Sequence, residues 1–211
     1  MLEKIKNLFK KETEEAPVTN SFEEQFDELF NSLGGNIITF EFGEDFVEYK
    51  DSILETIGKY RETLREKNGF IIPPVHILSN DKLQENEIVV KIREKQVLEN
   101  FIIPNEKHLK KEVEKSLELV CENYIDDIFT CELTEKYINA AQNNLLGTVW
   151  NITALYSVVE IKEVLLKLLK SKKSIKNISY VFEKFAEHAL SSGFCEHHSA
   201  EKLAKKIGAN L

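Results

Sequence analysis

The stretch "NGFIIPPVHIL", residues 68–78, decides how the rest of the chain is interpreted. Two adjacent prolines, Pro73 and Pro74, stand inside an otherwise strand-like apolar run. Proline has no backbone N–H for a neighbouring strand, fixes φ at about −65° and pushes the residue before it towards an extended conformation. The pair therefore predicts a rigid, unpaired lead-in that delivers Val75 and Ile77 into a sheet.

The sequence on either side of the prolines predicts a small α+β lobe. Upstream, "NIITFEF" alternates as a strand, and a helix is predicted from about residue 46 to 67, with Asn68-Gly69 as its stop signal. Downstream, "PVHIL", "NEIVVKI" and "KQVLENFII" are β-rich runs separated by polar turns. The predicted order is β-α-β-β-β for residues 36–104. The predicted helix has an apolar stripe formed by Ile53, Leu54, Ile57, Tyr60 and Leu64.

From Glu106 onwards the apolar residues repeat with a helical period, which predicts an all-α lobe. Thr134 is predicted to open the second of its helices, and residues 174–178 the fourth. The apolar positions of the first, third and fourth helices are Leu109, Val113, Leu117 and Val120, then Ile161, Val164, Leu165, Leu168 and Leu169, then Ile178, Val181, Phe182, Phe185 and Ala189. The fold class is thus α+β followed by helices, in three parts: a tail or linker with a short helix (1–35), the α+β subdomain (36–105) and the helical subdomain (106–211).

Composition excludes several functional classes. The formal net charge of −8 over 211 residues disfavours nucleic-acid binding, which needs clustered Lys and Arg. Three cysteines without paired spacing indicate a reducing, cytoplasmic compartment. The long uncharged stretch, residues 137–159, has too many amides for a membrane span.

The basic N-terminal stretch, residues 1–11, lacks the apolar core of a signal peptide. It is interpreted as a frayed helical tail, or alternatively as a helix that makes weak peripheral contact with a membrane or a partner.

Catalytic patterns are missing from the sequence, so an enzyme and a cofactor are not predicted. There is no phosphate-binding glycine loop and no nucleophile elbow. The one concentration of metal-capable groups is His188 with residues 195–198, "CEHH". A structural zinc site needs about four well-spaced ligands, whereas adjacent histidines diverge on a helix, so no metal is predicted.

A basic edge on the helical subdomain has two interpretations. Within an acidic protein, its lysines form either a solvated helix face or a docking edge for acidic partner surfaces. They are Lys162, Lys167, Lys170, Lys172, Lys173 and Lys176. Phe182 and Phe185 are predicted to lie in the core, while Trp150 is assigned to neither core nor interface.

Two motifs resemble the flagellar and type III secretion export-gate (FlhA/FHIPEP) family. Residues 69–77, "GFIIPPVHI", followed by Asn80, Leu83 and an alternating strand, resemble a motif of that family's cytoplasmic domain. Residues 157–189 resemble its run of two helices that carries a Leu-Leu pair and an Ala-Glu-His-Ala ending. The departures are His76 in place of arginine, Glu85 in place of proline, Ile88 in place of tyrosine and Glu94 in place of a strand-turn glycine.

The resemblance implies a trimmed version of that cytoplasmic domain, without the family's membrane domain. It implies a non-catalytic component or adaptor of protein export that binds export-gate subunits, chaperones or substrates and can join a homo-oligomer. The alternative is a regulatory or metal-dependent module that reuses the fold. Gly69, Pro73 and Pro74 are interpreted as scaffold. The candidate partner-contact residues are His76, Glu87, Val89, Lys91, Lys170, Lys172 and Lys173.

Overall fold

The computed structural model describes residues 35–190 and 198–211. The strands are β1 (Ile38–Phe42), β2 (Val75–Ser79), β3 (Glu87–Ile92) and β4 (Lys95–Phe101). A 3₁₀ helix spans Glu44–Tyr49, and the α-helices are α1 (Lys50–Asn68), α2 (Glu106–Asn123), α3 (Ile125–Ile128), α4 (Cys131–Leu155), α5 (Val158–Lys170), α6 (Ile178–Leu190) and α7 (Ala200–Gly208). The predicted β-α-β-β-β order and the helical second half are confirmed. The helices predicted within residues 1–35 lie outside the described residues.

The four strands form one sheet in the order β2-β1-β3-β4. β1 runs parallel to β2 and antiparallel to β3, and β4 runs antiparallel to β3. The two prolines thus precede an edge strand, where a missing N–H costs the sheet nothing. Residues 71–74 have no strand pairing, and pairing begins at Val75, as the prolines predict.

One face of the sheet packs beneath the 3₁₀ helix. Phe40 and Phe42 on β1 have ring centroids 5.9 Å apart, and Phe42 meets Phe46 of the 3₁₀ helix edge-on at 6.0 Å. α1 packs against the 3₁₀ helix and α2, and its Ile53 and Ile57 are buried. The prediction that Leu54 belongs to the same stripe is wrong: it is 47% exposed, because its position on α1 turns away from the core.

The β3–β4 turn holds two ordinary residues in the left-handed region, with φ of 48° at Arg93 and 68° at Glu94. Two-residue hairpin turns of this kind favour glycine or asparagine, because a Cβ atom costs about 1–2 kcal/mol at positive φ. Glu94 is the position at which the family motif carries glycine.

We expect Glu94→Gly to stabilise the protein by about 1 kcal/mol, because glycine removes the steric cost of this turn. For a chain of this size the thermal midpoint should rise by about 2–4 °C. Lys95→Gly, one residue along in β4, is the control, and it should lower stability, because glycine in a strand gains chain freedom on unfolding. A thermal midpoint that does not rise in Glu94→Gly would show that the turn is not strained.

Side-chain caps set the helix starts in the second half of the chain. Thr130 caps α4 by accepting a hydrogen bond from the Leu133 backbone N–H at 3.0 Å. The prediction that Thr134 opens this helix is therefore wrong, since Thr134 is buried inside α4 and its hydroxyl donates to the Thr130 carbonyl. Ser157 and Glu160 form a reciprocal capping box at the start of α5. α4 is kinked at Leu145, whose φ and ψ are non-helical.

The helical core contains the apolar positions that the periodicity predicts, except Ile178, which is half-buried at the start of α6. Phe182 and Phe185 are fully buried, which confirms them as core residues, and Phe185 meets Tyr156 edge-on at 5.1 Å. Trp150 is different: it is 70% exposed on the second half of α4. Residues 36–211 group as one unit, and a division within it at residue 105 remains a prediction.

Candidate protein-contact site

Residues 69–74, which we call the strap, join α1 to β2 and lie against the helical half of the chain. The Tyr137 hydroxyl of α4 donates a hydrogen bond to the Gly69 carbonyl at 2.7 Å. The same oxygen accepts a hydrogen bond from the Ile71 backbone N–H at 2.9 Å. One side chain therefore satisfies two backbone groups of a segment that has no strand partner.

Aromatic packing holds Tyr137 in this position. Its ring is stacked on Phe129 with centroids 5.6 Å apart, and Phe129 lies 6.0 Å from Phe70 of the strap. Burial raises the pKa of Tyr137, so the hydroxyl keeps its proton and remains a donor at every physiological pH.

Gly69 is needed at the start of the strap for two reasons. Its φ is +77°, and it ends α1 in the left-handed conformation. A Cβ atom there would lie 2.3 Å from the Lys176 backbone nitrogen, between α5 and α6. Next to it, the Ile175 backbone N–H donates to the Asn68 carbonyl at 2.7 Å. The predicted scaffold glycine thus lies where the backbone of the strap closely approaches the backbone between α5 and α6.

The two prolines of the strap continue this arrangement. Pro73 is buried and Pro74 is half-buried. Arg61 of α1 donates from Nε to the Ile72 carbonyl at 3.2 Å, just before the prolines. The strap is therefore fixed from both sides, by α1 and by α4.

Four of the predicted contact residues, His76, Glu87, Val89 and Lys91, share one face of the sheet. His76 and Lys91 both pair with Thr39, so they lie on either side of it in one row across β2, β1 and β3. Side chains alternate along a strand, which places Glu87 and Val89 on the same face as Lys91. The structure thus brings these four residues together.

The exposure of these four side chains is not uniform. His76 is half-buried, and Glu87 accepts a hydrogen bond from the Gln84 backbone N–H at 2.9 Å. Val89 on β3 is only 1% exposed. A buried side chain offers no contact area, so we leave Val89 out of the proposed contact set.

Lys91 is engaged by a carboxylate that sequence reasoning did not single out. It forms an ion pair with Glu41 of β1, which is 7% exposed, and Asn80 donates to the other Glu41 oxygen at 2.7 Å. Burial of the Glu41 carboxyl raises its pKa, but the hydrogen bonds from Lys91 and Asn80 and the charge of Lys91 outweigh burial. The pKa therefore lies below its ordinary value of 4.5.

This ion pair predicts a pH dependence of stability. Because the pKa of Glu41 is lower in the folded than in the unfolded chain, its contribution is complete above pH 4.5 and is lost as the pH falls through the lower, folded value. We expect Glu41→Gln to cost about 2 kcal/mol at neutral pH. Denaturant unfolding down to about pH 3 should show this difference shrinking. A difference that stays constant with pH would contradict the assignment.

The predicted lysine edge is divided between paired and unpaired side chains. Lys170 forms an ion pair with Asp126 at 2.5 Å, and Lys176 forms one with Glu66 at 2.5 Å. These exposed pairs add little stability. Lys172 and Lys173 have no ion-pair partner among the described residues, and Lys172 is exposed in the turn after α5. The two lysines are thus better placed than Lys170 to meet another protein.

The possible metal cluster is only partly described, since residues 195–197 lie outside the described ranges. His198 is buried, its backbone N–H donates to the Tyr156 hydroxyl at 3.3 Å, and its Nδ1 lies 3.1 Å from Lys202 Nζ. His188 approaches Asn210 at 3.4 Å. Within residues 35–190 and 198–211 no group of three metal-capable side chains comes together.

Sequence reasoning found the strap but missed its partners. Tyr137 and Phe129 lie more than 55 residues from Gly69 along the chain, and nothing in their local sequence points to it. Glu41 lies in the alternating stretch "NIITFEF", but it was not singled out from the sequence. None of the helices in the described part of the chain is long and apolar enough to cross a membrane.

The chain is similar in sequence to a curated protein, the flagellar biosynthesis protein FlhA of Bacillus subtilis (strain 168). The two are 25% identical over 229 residues, which covers 82% of this chain and 34% of FlhA. The chain therefore spans about a third of the length of this relative.

The fold is similar to that of two solved structures. The CdsV protein of Chlamydia pneumoniae superposes with a TM-score of 0.71 at 13% identity, covering 82% of this chain and 64% of CdsV. CdsV is also matched in its complex with CdsO, with a TM-score of 0.69. The nonameric SctV-C of EPEC superposes with a TM-score of 0.68 at 10% identity, covering 82% of this chain and 64% of SctV-C.

A family match covers the strap and the sheet. Residues 2–117, more than half of the chain, match the FHIPEP family. The match includes the double-proline motif, whereas the second motif, residues 157–189, lies outside it. On this evidence the chain belongs to the FHIPEP family, the export-gate family that its double-proline motif resembles.

Proposed function

We propose that this protein is a non-catalytic component of a flagellar or type III protein export system, where it binds export-gate subunits, chaperones or export substrates. The observation that carries the proposal is the FHIPEP match over residues 2–117, which contains the strap and all four strands. The similarity to FlhA of Bacillus subtilis supports the flagellar form of the role. The fold of CdsV supports a scaffold common to both kinds of export system.

Partner binding is proposed to use two groups of residues on different elements. The first is the sheet face around His76, Glu87 and Lys91, and the second is the turn with Lys172 and Lys173. No hydrogen bond or ion pair within residues 35–190 or 198–211 joins the two groups. The paired Lys170 is assigned to the contact with Asp126 instead.

We also propose that the protein forms a homo-oligomer. This proposal is supported by SctV-C, which has a similar fold and forms a nonamer. Sedimentation of the full chain at several concentrations tests this, and a purely monomeric protein at all of them would contradict it.

The export role is tested by affinity capture with the full chain in lysate of its own organism, followed by mass spectrometry. Recovery of export-gate subunits, export chaperones or exported substrates is the expected result. We expect the double variant Lys172→Glu with Lys173→Glu to recover less of them, because reversed charges slow association with acidic surfaces.

Lys82→Glu with Lys95→Glu is the matched control, since it makes the same change in net charge on the α+β half of the chain. Equal losses in both double variants would show a nonspecific charge effect. Capture of only unrelated proteins by the unaltered chain would contradict the export role.

A further inference from the structure

A groove of about 820 Å³ lies between α1, α2 and the turn that follows α5. Its floor is apolar: Phe70, Cys121 and Leu169 are buried, while Tyr60 and Leu64 are half-buried at its surface. Burial raises the pKa of the Cys121 thiol to about 12, so this cysteine is a neutral, apolar part of the floor. The volume is within the range of protein binding sites, of about 300–1,000 Å³.

The walls of the groove have the length of a short helix. α1 and α2 run in the same direction, since Ser52 donates to Glu106 at 3.0 Å and Lys110 lies 3.8 Å from Glu55 near their N-termini. The lining part of α2, residues 111–122, is about 16 Å long at about 1.5 Å per residue. A helix of about three turns matches this length.

Charges at the end of the groove near the strap differ between the elements that line it. Lys67 of α1 and Lys172 of the turn are basic, whereas Glu118 and Glu122 of α2 are acidic. All four are exposed, and none has an ion-pair partner in the described parts of the chain. At this end, an apolar floor between basic residues of α1 and the turn and acidic residues of α2 is complementary to a helix with the opposite charges on its flanks. α2 also contributes Lys111, Glu114 and Lys115 to the lining, so its part of the groove is of mixed charge further from the strap.

The strap fixes this end of the groove. Asn68, Phe70 and Ser174 line it, and the hydrogen bond from the Ile175 N–H to the Asn68 carbonyl joins the end of α1 to the connection between α5 and α6. A groove whose walls are held before binding loses little conformational freedom when a partner enters.

We propose that this groove binds an amphipathic helix of a partner protein. The apolar ridge of that helix covers Leu64 and Tyr60, its Lys or Arg residues face Glu118 and Glu122, and its Asp or Glu residues face Lys67 and Lys172. The inference goes beyond the proposed function, because it specifies a helix chemistry that the chain recognises with or without other export proteins.

Three fluorescein-labelled synthetic helices of 14 residues, with the same leucine ridge, test the proposal by fluorescence anisotropy with the full chain. One carries Lys on one flank and Glu on the other, one carries Lys on both flanks, and one carries Glu on both. We expect the mixed peptide to bind at least about tenfold more tightly than either other peptide. Equal affinity of all three, or no binding of any, would overturn the proposal.

Two variants place the binding in the groove. Leu64→Glu should abolish binding, whereas Leu119→Glu, an exposed leucine on α2 that does not line the groove, should not change it. Glu118→Lys with Glu122→Lys should shift the preference to the all-Glu peptide, a change that loss of folding cannot produce. Unchanged preference in this variant would contradict the groove as the site.

The peptide experiment uses no export protein, so a lack of peptide binding would not contradict the proposed export role. Failure to capture export proteins would likewise not contradict helix binding in the groove.

Discussion

Gly69→Ala is expected to lower the free energy of unfolding by about 3 kcal/mol or more. A residue with a Cβ atom costs about 1–2 kcal/mol at this positive φ. Its Cβ would also lie 2.3 Å from the Lys176 nitrogen and 2.4 Å from the Lys176 Cα. Both are backbone atoms, so the clash can be relieved only if the α5–α6 connection moves. That movement would stretch the hydrogen bond from the Ile175 N–H to the Asn68 carbonyl.

Thermal unfolding followed by circular dichroism measures this effect, which should lower the midpoint by about 6–12 °C. Gly58→Ala is the control in the same helix. Gly58 is exposed, nothing lies within 4 Å of its would-be Cβ, and alanine is the better helix former by about 1 kcal/mol. Gly58→Ala should therefore raise the midpoint. If both substitutions raise it, the close contact at Gly69 does not exist in solution.

Tyr137→Phe is expected to cost about 3 kcal/mol although it removes a single oxygen atom. Stacking on Phe129 can persist, but the Gly69 carbonyl and the Ile71 N–H lose their partner. A buried backbone group without a hydrogen bond costs about 1–3 kcal/mol, and two are affected. Chemical denaturation measures the loss as a lower midpoint at an unchanged slope.

Tyr180→Phe is the matched control for the loss of a hydroxyl. Tyr180 is half-buried, and its hydroxyl has no hydrogen-bond partner among residues 35–190 and 198–211. Its substitution should change stability by less than about 0.5 kcal/mol. Equal, small effects at both positions would mean that the strap is held by packing alone. Amide exchange at Ile71 provides a second readout, which should become faster only in Tyr137→Phe.

The strap is also expected to link the stability of the protein to peptide binding in the groove. Residues of α1, the strap, the turn after α5 and α2 line the groove near the strap, and the strap contacts hold the first three of these elements together. A variant that loosens the strap should therefore weaken peptide binding in the groove as well as stability.

Local patterns in the sequence predicted most of the elements of this protein. Strand alternation, helical stripes, the Asn68-Gly69 stop and the proline lead-in all depend on sterics and periodicity within a few residues. They gave the α+β order and most of the buried helical positions. Local patterns failed for two apolar residues with opposite outcomes: Leu54, predicted in the apolar stripe, is 47% exposed, and Val89, predicted as a contact residue, is 1% exposed.

The sequence by itself determined the α+β fold class, the rigid entry to β2 and, through the double-proline motif, the family. Only the tertiary structure shows that Tyr137 forms hydrogen bonds with the strap backbone and that Glu41 forms an ion pair with Lys91. It also decided that a groove lies between α1, α2 and the α5–α6 turn. The physical reason is range: backbone sterics act between adjacent residues, whereas a hydrogen bond between residues 69 and 137 exists only after two independently patterned surfaces have packed.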